Sequence, residues 1–168
     1  ATAATATLTR STSGAPVTLN KSFSPVSVSG GALSQLTISL GNNNGGALAL
    51  TQAALTDTFP AGMIVADSPA ASFTGAGCTL GTVVATPGAP QVLLTGAAIA
   101  AGSVCELKVN VTSILDGNLT NDIPVGALQT QQSVTNNNSP AATLTVLRNT
   151  NIGKSFLPST IAAGGTAL

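Results

Sequence analysis

Cys105-Glu106-Leu107-Lys108-Val109-Asn110-Val111-Thr112 alternates apolar and polar side chains without a break. A period of two puts Cys105, Leu107, Val109 and Val111 on one face of a strand, with Glu106, Lys108, Asn110 and Thr112 on the other. Such a strand is half buried, as in an antiparallel sheet with one solvated face. The same period recurs outward in both directions. Val17, Leu19, Lys21 and Phe23 share one parity, and Leu36, Ile38 and Leu40 alternate with Gln35, Thr37 and Ser39. Leu55, Asp57 and Phe59 alternate with Thr56 and Thr58. Downstream, Leu119, Asn121 and Ile123 make a shorter set, and Ala142, Leu144 and Val146 the last.

Turn formers lie between these segments: Ser29-Gly30-Gly31, the run Gly41 to Gly46, Pro60-Ala61-Gly62, Pro87-Gly88-Ala89-Pro90, Asp116-Gly117 and Asn136-Asn137-Asn138-Ser139-Pro140. No segment sustains a helical period over about twelve residues. Short strands punctuated in this way define an all-β fold, an immunoglobulin-like antiparallel β-sandwich.

Composition narrows the function. Ala, Gly, Ser and Thr supply about half of the 168 residues, and charged residues only 6%, against roughly 25% in an ordinary domain. Five Lys and Arg cannot form the basic footprint of a nucleic-acid binder. With no His, the commonest general base and nitrogen metal ligand are missing. The five carboxylates are scattered from Asp57 to Asp122. The expectation is a protein that is no enzyme, with no catalytic residues, no metal and no cofactor. A hydrophobic share of 43% at zero formal charge is the opposite of a disordered composition. A neutral surface of Thr, Ser, Asn and Gln suits a protein that lives assembled, since soluble monomers usually carry net charge. No basic-apolar leader opens the sequence, and no apolar run of roughly 18 residues occurs. A mature exported chain without membrane insertion reads this way.

The sequence also repeats itself. Lys154-Ser155-Phe156-Leu157-Pro158, followed by Gly164-Gly165, copies Lys21-Ser22-Phe23-Ser24-Pro25 followed by Gly30-Gly31. Ala3 to Arg10 likewise resembles Ala141 to Arg148. The chain therefore divides into residues 1–12, the closing strand or arm related to a preceding repeat; residues 13–148, one complete sandwich repeat; and residues 149–168, the opening strand of a following repeat. Its expected partners are neighbouring repeats or subunits of the same protein.

The Lys-x-Phe-x-Pro opening, Leu55-Thr56-Asp57-Thr58-Phe59-Pro60-Ala61-Gly62-Met63, Ala101-Gly102-Ser103-Val104-Cys105 and Leu119-Thr120-Asn121 together resemble the tandem immunoglobulin-like repeats of large bacterial surface proteins. Phe59 stands where that family typically has leucine. The resemblance spans most of residues 17–148 and implies a β-sandwich exported to the cell surface. It implies little about activity, because many such repeats have none assigned.

Two groups of residues are candidates for chemistry. Cys78 and Cys105 are the only cysteines; they are too few for a structural zinc site, and a disulfide fits an extracellular chain. The alternative is two separate buried thiols. Lys21, Asp57 and Asn121 are polar residues on inward parities, and buried charges need partners. Three readings stay open. The first is a buried ion pair of Lys21 with Asp57, hydrogen-bonded by Asn121. The second is an intramolecular isopeptide bond in which Lys21 attacks Asn121, or alternatively Asn136, with Asp57 relaying protons; the resemblance favours it, since bacterial surface immunoglobulin-like domains are known for such bonds. The third is a set of solvated strand-end residues. Asp116-Gly117-Asn118 lacks the spaced acidic ligands of a calcium loop and reads as a turn.

Two functions of different class follow. One is a structural repeat or subunit of a bacterial extracellular filament, sheath or surface stalk. The other is an adhesin module binding a surface ligand or carbohydrate, which the absence of Tyr and Trp disfavours.

Overall fold

The alternating stretch around Leu107 becomes β9, Val104–Ser113, the strand around which the first sheet is organised. A computed structural model describes residues 14–45, 48–148 and 153–166, and every element among them is a strand. β1 (Thr18–Ser24) pairs with β3 (Ser34–Gly41), which pairs with β9, all antiparallel. On its other edge β9 carries β5 (Met63–Val65) at one end and β6 (Ser72–Thr74) at the other. Register aligns the inward residues in columns: Leu19, Leu40 and Cys105; Lys21, Ile38 and Leu107; Phe23, Leu36 and Val109. Eight of these nine side chains are apolar or sulfur-bearing, and the ninth is a lysine.

Two smaller sheets supply the opposing layer. In one, β4 (Leu50–Thr58) pairs with β8 (Gln91–Ile99), and β8 with β7 (Cys78–Val84). In the other, β10 (Gly117–Asp122) pairs with β11 (Ala141–Leu147), which pairs in parallel with β2 (Ser27–Ser29). The chain leaves β1 at Pro25 and changes layer to form β2. One core joins all three sheets, with Leu36, Ile38, Leu94, Ile99, Leu107, Ile123 and Leu144 fully buried. The architecture is the expected immunoglobulin-like β-sandwich.

The six segments with clean alternation are all strands. Those that alternation did not reveal have local causes. β8 buries Val92 and Leu94, then Ala97 and Ile99, because its phase slips where Gly96 takes φ 66°. β4 starts well before Leu55, and its register against β8 shifts on either side of Ala53, first where Gln52 takes φ 51° and then opposite Gly96. Such bulges break the period-two signature while keeping the inward face apolar. β7 has Leu80 at φ 60° and 76% exposed. β2, β5 and β6 have three residues each, too few to show a period.

The asparagine runs read as turns do more than turn. Asn42 Nδ2 donates to the carbonyls of Leu48, Ile99 and Ala100, and its Oδ1 accepts from Asn44. Asn138 donates to the Leu19 carbonyl at 2.6 Å and accepts from the Leu19 N–H at 3.0 Å, closing part of the outer edge of β1.

Ile38 is central in the first sheet and fully buried. Ile38→Ala should cost about 2–5 kcal/mol in denaturant unfolding, whereas Leu80→Ala at the exposed site should change stability by less than about 0.5 kcal/mol. Equal effects would contradict the assignment of the core.

Candidate functional site

Strand parity delivers three polar side chains to one point in the core. Lys21 comes from the middle of β1, Asp57 from the end of β4 and Asn121 from β10. The Lys21 Nζ donates to Asp57 Oδ1 at 2.7 Å, with side-chain exposures of 0% and 1%. Asn121 Nδ2 donates to the other carboxylate oxygen, Oδ2, at 3.0 Å. One carboxylate thus holds the amine on one oxygen and the carboxamide on the other, tying β1 of the first layer to β4 and β10 of the second.

Electrostatics at this point favour neutral groups. Burial pushes the Lys21 ammonium below its ordinary pKa, and the Asp57 charge only partly opposes this. Burial likewise pushes the Asp57 carboxyl up, against the pull of Lys21 and of the Asn121 hydrogen bond. Both shifts ease transfer of the proton from nitrogen to carboxylate. Asn121 Oδ1 is buried with no hydrogen-bond partner among the described residues. An unsatisfied buried acceptor typically costs about 1–3 kcal/mol.

Asn136 is placed elsewhere. Its Oδ1 accepts from the Leu128 N–H and its Nδ2 donates to the carbonyls of Pro124 and Asn138. Those bonds fix the connection between β10 and β11. Asp116, in the Asp-Gly-Asn turn, is on the surface and receives the Arg148 guanidinium through Nε and Nη2, which holds its carboxyl below the usual range.

Cys78 and Cys105 form a disulfide with a Cα separation of 5.7 Å, joining β7 of the second layer to β9 of the first. The turn before Cys78 makes room for it. Gly75 adopts φ 145°, and a Cβ there would lie 2.6 Å from both Cys78 Sγ and the Val104 carbonyl oxygen. Glycine alone meets both demands.

Over residues 16–146 the sequence matches the family described as "Domain of unknown function (DUF7933)". The chain belongs to the DUF7933 family. The DUF7933 match runs from just before β1 almost to the end of β11, so Lys21, Asp57, Cys78, Cys105 and Asn121 all lie within it. No curated protein matches this DUF7933 sequence. Among solved structures, a bacterial hydrophobin, BslA, is similar at 19% identity and TM-score 0.48, over 82% of this chain and 98% of that one. A cohesin module from the family 33 glycoside hydrolase of Clostridium perfringens is similar at 12% identity and TM-score 0.48, over 82% and 100%. A non-cellulosomal cohesin from the archaeon Archaeoglobus fulgidus is similar at 9% identity and TM-score 0.44, over 79% and 90%. At such scores these likenesses bear on neither activity nor partners.

Two outcomes test the site. Asp57→Ala leaves the Lys21 nitrogen buried without its partner and should destabilise by about 3–5 kcal/mol in equilibrium unfolding; a loss below about 1 kcal/mol would contradict the burial. Replacing Cys78 and Cys105 together by Ala opens a loop with a sequence separation of 27. That should cost about 3–4 kcal/mol on the chain-entropy account, and non-reducing peptide mapping of the unaltered chain should recover the two cysteines in one linked peptide.

Proposed function

We propose that this DUF7933 chain is a structural module of a bacterial extracellular filament, sheath or surface stalk, set among like modules. One observation carries the reading: the Lys-Ser-Phe-x-Pro segment occurs twice in two different environments. In β1 it buries Phe23 to 4% exposure and seals the Lys21 side chain in the core. In its second copy, Phe156 is 58% exposed, and Leu157 and Ile161 are exposed beside it. An exposed apolar segment with the sequence of β1 suits pairing with another sheet. The second copy is read as the β1 of a following sandwich, pairing with that sandwich's counterpart of β3. The matching arm, residues 1–12, lies outside the described residues, as do residues 149–152 between β11 and the second copy.

Other features agree. A disulfide suits an oxidising, extracytoplasmic setting. Covalent and buried polar ties between layers suit a module that resists unfolding. A surface nearly free of charge suits permanent assembly.

Immunogold electron microscopy of the native cells, with antibody raised against this module, tests the reading. Label should follow filaments, a sheath or surface stalks at regular spacing. Label confined to the cell interior, or protein recovered only as free monomer, would contradict it.

A further inference from the structure

The Lys21–Asp57–Asn121 cluster has more parts than an ion pair needs. A buried Lys–Asp pair could be replaced by two apolar side chains at little cost, often with a gain in stability. This site instead adds an asparagine whose carbonyl oxygen has no hydrogen-bond partner among the described residues. The arrangement makes chemical sense if the amine is a nucleophile, the carboxamide its electrophile and the carboxylate a proton carrier touching both. We propose that Lys21 and Asn121 become joined by an intramolecular isopeptide bond, and that Asp57 catalyses its formation.

The step balances without a cofactor or oxidant. Uncharged Lys21 Nζ attacks Asn121 Cγ, and the new Cγ–Nζ bond forms as the carbonyl electrons move onto Oδ1. Asp57 accepts a proton from Nζ and passes one to Nδ2, 3.0 Å from its Oδ2. The Cγ–Nδ2 bond then breaks and the nitrogen leaves as ammonia. Asp57 ends as it began. A primary amide and an amine have become a secondary amide and ammonia. The lowered Lys21 pKa and raised Asp57 pKa supply the free amine and the acid that the sequence of transfers requires. Three strands hold the groups in place, so the reaction gains the advantage of fixed proximity. Near-zero exposure of Lys21 and Asp57 keeps water from competing for the carbonyl carbon.

The bond would tie the first strand to the tenth, with the Cys78–Cys105 disulfide nested inside the loop it closes. It depends only on the inside of the module and holds whether or not the module is part of a fibre.

Mass spectrometry of the full chain, disulfide reduced and denatured, decides the matter. The intact mass should be about 17 Da below that of the sequence, the loss expected for ammonia leaving a newly formed amide. Amine acylation of the unfolded chain should then modify Lys108 and Lys154 but not Lys21, and fragmentation should yield a branched peptide linking Lys21 to Asn121. Asp57→Asn, and separately Lys21→Arg, should restore the full mass, with Lys21 acylated in the former. Because the wild-type readout is made on denatured chain, poor folding of either variant does not obscure it. A wild-type chain at full mass with Lys21 acylated overturns the proposal. So does a 17 Da loss with Lys21 still reactive, or a branch from Lys21 to any residue other than Asn121.

Discussion

A lysine nitrogen sealed between two β-layers is the constraint around which this molecule is arranged. An ammonium in such a place is costly unless it is paired, hydrogen-bonded or made neutral. The inward column that contains Lys21 otherwise holds Ile38 and Leu107, so nothing in its own sheet can answer it. The answer comes from the opposite layer, through Asp57 and Asn121. These contacts tie β1 of one layer to β4 and β10 of the other.

The remaining ties follow the same logic of few but directed links. The disulfide fastens β7 to β9 at one place, while Lys21 fastens β1 to β4 and β10 at another. Asparagine carboxamides do the rest, with Asn42, Asn136 and Asn138 each satisfying several backbone groups in or beside loops. Short polar side chains of this kind substitute for backbone pairing where strands end. With only 6% charged residues, surface ion pairs contribute little, and that of Arg148 with Asp116 is exposed. Stability rests on the aliphatic core and these internal links.

How much of this was legible in the sequence depended on whether the chain stayed in phase. β1, β3, β9, β10 and β11 keep strict alternation, and their parity alone placed Lys21 and Asn121 on inward faces. Asp57 was placed likewise from the regular end of β4. Parity could not say that the three inward faces meet at one point, because that depends on how layers stack. β8 and the first part of β4 were hidden by bulges at Gly96 and Gln52, which shift the phase without changing the buried face. The buried Asn42 and Asn138 were hidden for another reason. Asparagine runs signal turns through the same side-chain hydrogen bonding that here reaches across to neighbouring strands.

The Lys21 nitrogen is withdrawn from solvent and bound to groups of the opposite layer. Nitrogen-15 NMR of protein labelled only at lysine side chains measures this for all three lysines at once. Two nitrogens, of Lys108 and Lys154, should exchange protons rapidly with water. The third, of Lys21, should be protected from exchange and, if joined to Asn121 as proposed, should carry the signature of an amide. Three lysine nitrogens that exchange alike as ammonium groups would contradict it.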